Sequence, residues 1–191
     1  MTYLNKDQRR EEILQAAMRV ALNEGFSGMT VRRIAAEAGV AAGQVHHHFA
    51  SIGELKSQAF IHLIRELLDV EIVPATAGWR EKLHAMLGSD ENSLEPYIRL
   101  WREGQILAER DSEIKGAYIL TMEMWHQRTV AIIKAGAGDK VFILKDTAEN
   151  IAWRLISLVC GLDGIYMLNI GGMDDAAFNK HLDKLISLEL N

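Results

Sequence analysis

The sequence predicts an all-α fold, on three observations. Proline occurs only twice in 191 residues, at Pro74 and Pro96, while Ala, Leu, Ile, Glu and Arg are abundant. Apolar residues recur at helical spacing, beginning with Ile13, Ala16, Ala17, Val20 and Ala21. No run of alternating β-branched residues lies between hairpin turns, and the best strand-like fragment, "KVFIL" at Lys140–Leu144, is isolated.

Each helix has its own start and stop signals. The first spans Lys6 to Glu24 and ends at Gly25. Thr30 caps "VRRIAAEA", which stops at Gly39, and "VAAGQVHHHF" forms another short helix. Ser51 caps a longer helix that ends before Pro74, with Glu54 as capping-box partner. Beyond it come "GWREKLHAMLGS", "SLEPYIRLWREGQILAER" and "SEIKGAYILTMEMWHQRTVAIIKAG", then a loop at "AGAGDKVFI". "KDTAENIAWRLISLVCGLDGIYMLNIGG" reads as a nearly all-round apolar helix, buried on several sides with Cys160 as a buried thiol. "DDAAFNKHLDKLISLEL" closes the chain, with Phe178, Leu182, Leu185 and Ile186 on one face.

Two turns of helix, a glycine and a second short helix give the helix-turn-helix outline. Ala35 is small enough for close helix crossing, Gly39 suits the turn, and Ile34, Val40, Val45 and Phe49 serve as anchors. On such a second helix the outward side chains enter the major groove. The Gln44 amide can pair bidentately with adenine, and Ala41 and Ala42 are small enough to meet a thymine methyl.

The segment Thr30–Leu55, "TVRRIAAEAGVAAGQVHHHFASIGEL", resembles the DNA-binding domain of the TetR family of bacterial transcriptional regulators. Thr30, Ile34, Ala35, Ala38, Gly39, Val40, Gly43, Val45, Phe49, Ser51 and Leu55 all fall in the family's pattern, and "RREEILQAAMRVALNEGFSGMT" is similar to its first helix. The distal "WRLISLVCGLDGIYMLNIGG" resembles the choline-responsive BetI branch. The resemblance implies a DNA-binding domain over 1–52 and an effector-binding and dimerisation domain over 53–191. It places Arg32 where a base or phosphate is reached, Thr30 at a phosphate as well as a cap, His46 and His48 near the sugar-phosphate backbone, and His47 facing DNA. It implies a homodimer built from the two terminal helices, whose apolar faces are left over for a four-helix interface. Ala41 departs from the usual capping Ser or Thr, Ala50 from a common Pro, and Ile52 from a phosphate-holding Lys.

Charge agrees with DNA binding by one end. The net charge is −5, yet residues 1–60 hold 7 Lys and Arg against 6 Asp and Glu, leaving the acidic excess to residues 61–191. The triple histidine His46, His47 and His48 is not read as a metal site. Successive helical residues point about 100° apart, and metal-binding pairs on helices lie three or four residues apart. No Asp, Glu or Cys lies within three residues of the run.

Tyr97, Trp101, Tyr118, Met122, Trp125 and Trp153 supply bulky surface on three central helices. Tyr118, Met122, Trp125, Thr129 and Ile132 make one stripe, which reads as core or as the wall of a ligand site. With Glu123 nearby, the aromatic rings suit a lipophilic cation. Neither a nucleophile elbow nor a phosphate loop is present, so the chain is read as a non-enzyme that needs no cofactor. "MTYLNKDQRREEILQ" is too charged for a signal peptide and the apolar runs are interrupted, so a cytoplasmic protein with no membrane segment is expected. The function expected is a repressor that binds a palindromic operator as a homodimer and is released by a small molecule. The alternative is a helical ligand-binding or interaction protein without operator binding, motivated by Ala41 and Ile52.

Overall fold

The structure is a computed structural model and describes residues 5–88 and 94–191. The described residues are helical, with no strand: α1 (Lys6–Gly28), α2 (Val31–Ala38), α3 (Ala42–His48), α4 (Ile52–Asp69), α5 (Trp79–Leu87), α6 (Glu95–Leu107), α7 (Ser112–Gly138), α8 (Ala148–Met167) and α9 (Asp175–Leu190). Two compact packing units result. One joins residues 1–69 with 92–122, the other 70–91 with 123–191, so a division falls within α7. The packing units thus divide the chain elsewhere than the expected functional boundary at 52/53, which lies at the start of α4.

In the first unit, Asn5 starts α1 with a capping box. Its side chain accepts the Gln8 amide at 2.8 Å while its own amide donates to Gln8 Oε1 at 3.0 Å. Regular helix breaks at Gly25 (φ 70°, ψ −174°), a conformation open essentially to glycine alone, and one more turn carries the chain to Gly28. Thr30 caps α2 by accepting the Arg33 amide at 3.2 Å. Gly39 ends α2 in the left-handed conformation (φ 66°) and donates to Ala36, while Val40 donates to Ala35. This pair of bonds is the Schellman arrangement, which satisfies the last carbonyls and turns the chain. The core comprises Ile13, Val20, Phe26, Ile34, Ala35, Val45, Phe49, Leu55, Phe60 and Ile64, all fully or almost fully buried.

In the second unit, Leu83, Ile133, Phe142, Ile151, Leu155, Leu182, Ile186 and Leu190 form the core. The Arg154 guanidinium on α8 grips Glu189 on α9 at 2.6 and 2.7 Å and Asp146 at 2.9 Å. These carboxylates raise its already high pKa further.

Several elements differ from expectation. α7 runs on to Gly138, two residues past Gly136, where it was expected to end. Gly136 has a reason to be there: a Cβ would strike the Phe142 ring, which packs against the helix. "KVFIL" is not a strand. Phe142 is its buried plug, and the Ile143 and Lys145 amides donate to the Leu190 and Glu189 carbonyls, satisfying the end of α9. Glu54 reaches one residue further than a capping box requires, accepting the Ala50 amide at 2.7 Å while Ser51 Oγ accepts the Glu54 amide at 2.8 Å. α8 is buried along one side only. Trp153 and Cys160 are exposed, as are Ile165, Tyr166 and Met167 at its end. An all-round apolar sequence does not reveal which face its own chain leaves uncovered.

Candidate functional site

Sequence reasoning selects the outer face of α2 and α3, and the structure places these side chains at the surface. Val45 is the one residue of α3 that is buried, and Phe49 is buried just beyond its end, so the two pin α3 by its inner face. Thr30, Arg32, Ala41, Ala42, Gln44, His46 and His47 are exposed, and His48 is half-buried. α3 starts without a side-chain cap, because Ala41 has no acceptor to offer its first amides.

Arg32 and Arg33 have different surroundings. Arg33 is held by protein carboxylates, at 2.7 Å from Glu24 and 3.0 Å from Glu37, and Glu37 also takes Arg19 at 3.0 Å. These bonds raise the Arg33 pKa above its usual value and lower that of Glu37. Arg32 is exposed and makes no ion pair among the described residues, which leaves its charge available.

The three histidines also separate. The His47 and His48 rings meet edge to face with centroids 5.1 Å apart. Burial, then the positive surroundings of His47, Lys6, Arg10 and Arg9, hold the His48 imidazole below the usual histidine pKa. Its Nδ1 is buried without a hydrogen-bond partner. Among the described residues no group of three or more His, Cys, Asp or Glu side chains is placed to hold a metal ion.

Sequence reasoning missed the contribution of α1. Lys6, Arg9 and Arg10 bring positive charge to His48, although they are distant in sequence. The Arg10 guanidinium lies 4.4 Å over the Phe49 ring and donates to Gln58 at 2.8 Å. Their clustering in the first two turns of α1 was the available signal.

The six aromatic and sulfur-bearing candidates do not form one group. In the first unit Trp101 and Tyr118 lie 5.3 Å apart, and each ring is 6.3 Å from Phe60, which stacks on Tyr118 with planes 10° apart. Phe60 is wholly buried and was not singled out from sequence. Gly104 lets the cluster close, since a Cβ there would lie 3.1 Å from the Phe60 ring. Tyr97 is half-buried, and burial, then the nearby Glu66 charge, raises its hydroxyl pKa. Met122 is half-buried. In the second unit Trp125 Nε1 donates to the Met86 carbonyl at 3.0 Å. Trp153 is 42% exposed and stacks on His126 at 4.2 Å. An open groove of about 720 Å³ between α5 and α9 is lined by Ile72, Val73, Arg80, His84 and Asp183 among others, and by none of these six.

No described helix is long and apolar enough to cross a membrane. Residues 13–58 match the family model described as bacterial regulatory proteins, tetR family. The chain is 30% identical over 165 residues to the HTH-type transcriptional regulator BetI of Agrobacterium fabrum, covering 83% of this chain and 75% of that protein. Its fold resembles that of a crystallised transcriptional regulator from Saccharomonospora viridis in complex with choline, with TM-score 0.73, 22% identity and coverage of 96% and 98%. It also resembles the multidrug binding protein EbrR complexed with proflavin, with TM-score 0.65, 24% identity and coverage of 93% and 99%. The helix-turn-helix geometry, the family match and the relative together show that the chain belongs to the TetR family of DNA-binding transcriptional regulators, which are not enzymes.

Proposed function

We propose that the chain is a cytoplasmic repressor that binds a palindromic operator as a homodimer and is released by a lipophilic or cationic small molecule. The observation that carries the operator reading is the solvent-facing surface of α3, where Gln44 is exposed beside small Ala41 and Ala42. In this reading Gln44 reads a base, Ala41 and Ala42 admit close approach, and Thr30, Arg32, His46, His47 and His48 face DNA. Residues 1–52 form the reading head, and 53–191 serve effector binding and dimerisation. A two-fold dimer would present two α3 helices to major grooves about 34–36 Å apart. The exposed apolar end of α8 supports a protein partner, and a second copy satisfies the symmetry of a palindrome.

The effector reading draws on the Trp101–Tyr118–Phe60 cluster of the first unit, with Tyr97 and Met122 of the same unit as further contacts. Aromatic faces attract organic cations. Choline and proflavin, bound by the two similar structures, are cations. The effector must favour the DNA-incompetent state, and the coupling is reciprocal.

Fluorescence anisotropy against duplexes from the promoter regions flanking its own gene tests the operator reading. Specific binding that falls steeply with salt is expected. A folded dimer with no specific binding at low salt would favour the ligand-binding alternative. Quaternary ammonium compounds, titrated while tryptophan emission is followed, test the effector. No change at millimolar concentration would remove the cationic class.

A further inference from the structure

In a continuous α1 the Phe26 amide would donate to the Leu22 carbonyl, four residues back. The break at Gly25 separates the two, and α6 supplies a replacement for each. Arg99 donates to the Leu22 carbonyl at 2.6 Å, and Glu103, one turn on, accepts the Phe26 amide at 2.8 Å. The Glu103 carboxylate occupies the space a side chain at residue 25 would fill, with both oxygens 2.5 Å from an ideal Cβ position. So α6 completes the corner leading from α1 into α2.

A second carboxylate serves the other corner. Glu113, in the first turn of α7, accepts the Ser51 hydroxyl at 3.1 and 3.2 Å. The same hydroxyl accepts the Glu54 amide as the cap of α4, and it lies three residues beyond the end of α3. Gly53 has no side chain to obstruct Glu113. All of these contacts lie within the first packing unit.

Both carboxylates sit on the helices that carry the aromatic cluster. Glu103 is two residues from Trp101, and Glu113 is five residues from Tyr118, about 7.5 Å along the helix. Phe60 packs against Gly104, so an axial shift of α6 displaces its ring. We propose that Glu103 and Glu113 are coupling residues, through which the Phe60–Trp101–Tyr118 cluster sets the α1–α2 and α3–α4 corners of the DNA-reading head. The proposal rests on the reading that this cluster senses the effector. It adds the specific groups that carry the signal.

Reciprocity allows a test without the effector, because DNA binding must then report back to Trp101. The full-length chain is labelled with 5-fluorotryptophan, and the Trp101 resonance is assigned with Trp101→Phe. The probe is a duplex selected by the wild-type chain from a random-sequence library. In wild type the Trp101 fluorine signal shifts on duplex addition. In the Glu103→Ala/Glu113→Ala double variant the duplex still binds but the shift is lost, and Gln at both positions, which keeps the acceptor oxygens, restores it. A residue that only stabilises the fold would lower the melting temperature and leave the shift intact. Glu113→Ala alone, altering an exposed side chain, reduces the shift and serves if the double variant does not fold. A Trp101 signal unmoved by bound duplex, or moved equally in the alanine variants, overturns the proposal while leaving the operator reading in place. Failure of wild type to select any duplex defeats the operator reading instead.

Discussion

The reading head and helix α8 both present side chains to solvent, but of opposite chemistry. Around α3 the apolar residues Val45 and Phe49 are buried, and the exposed set is Gln44, His46, His47 and small alanines. At the end of α8, Ile165 is 41% exposed, Tyr166 39%, Met167 55% and the following Leu168 69%. The first surface is polar and can meet a charged polymer without desolvating a core. The second leaves apolar surface in water, which costs hydrophobic free energy and favours contact with another apolar surface.

The largest effect is expected from making the α8 surface polar. Met167→Asp together with Tyr166→Asp is expected to convert a dimer to a monomer, at a cost of about 2–4 kcal/mol if these are interface hot spots. Sedimentation velocity reads the change, and operator affinity should fall with it. A dimer that survives both charges would place the interface elsewhere.

Within the head, Gly25→Ala should cost about 1–3 kcal/mol, because the backbone there is essentially restricted to glycine and the Glu103 carboxylate fills the space. Urea unfolding measures it. An unchanged midpoint would mean that the α1 break is not fixed. The opposite sign is expected of Ala41→Ser, which gives α3 the cap acceptor it lacks. A gain of about 1 kcal/mol follows, visible in the same urea experiment. A loss would mean that residue 41 does not sit at the N-cap.

The smallest effect is of pH. Phosphates favour a protonated imidazole, so DNA-bound protein takes up protons and affinity rises as pH falls from about 8 to about 6. His48 contributes least, since burial and then the neighbouring positive groups hold its imidazole below the usual histidine pKa. Replacing His48 by Gln should leave most of the rise in place, which anisotropy at a series of pH values reads. A profile carried by His48 alone would contradict its placement.

The two regions also differ in how much of them could be read from sequence. The helix-turn-helix was legible because its devices are local. Thr30 caps a bond three residues away, and Gly39 closes a Schellman turn across six. The contacts that complete the head were not legible. Glu103 meets Phe26 across 77 positions and Glu113 meets Ser51 across 62, and no periodicity encodes either. The side of α8 left bare was hidden for a related reason. Its sequence is apolar all round, so Cys160 read as buried although it is exposed. The extension of α7 to Gly138 was obscured because Gly136 looks like a helix breaker until Phe142 is seen lying against it.

Two variants compared on a panel of duplexes decide whether the outer face of α3 reads DNA sequence while Arg32 supplies charge beside it. Each duplex carries one base substitution, and binding is followed by anisotropy. Gln44→Ala should lose about 1–3 kcal/mol of discrimination at one position of each half-site and little elsewhere. Arg32→Ala should weaken binding about equally across the panel and reduce the salt slope by about one. If both variants match wild type on every duplex, α3 is not the reading helix.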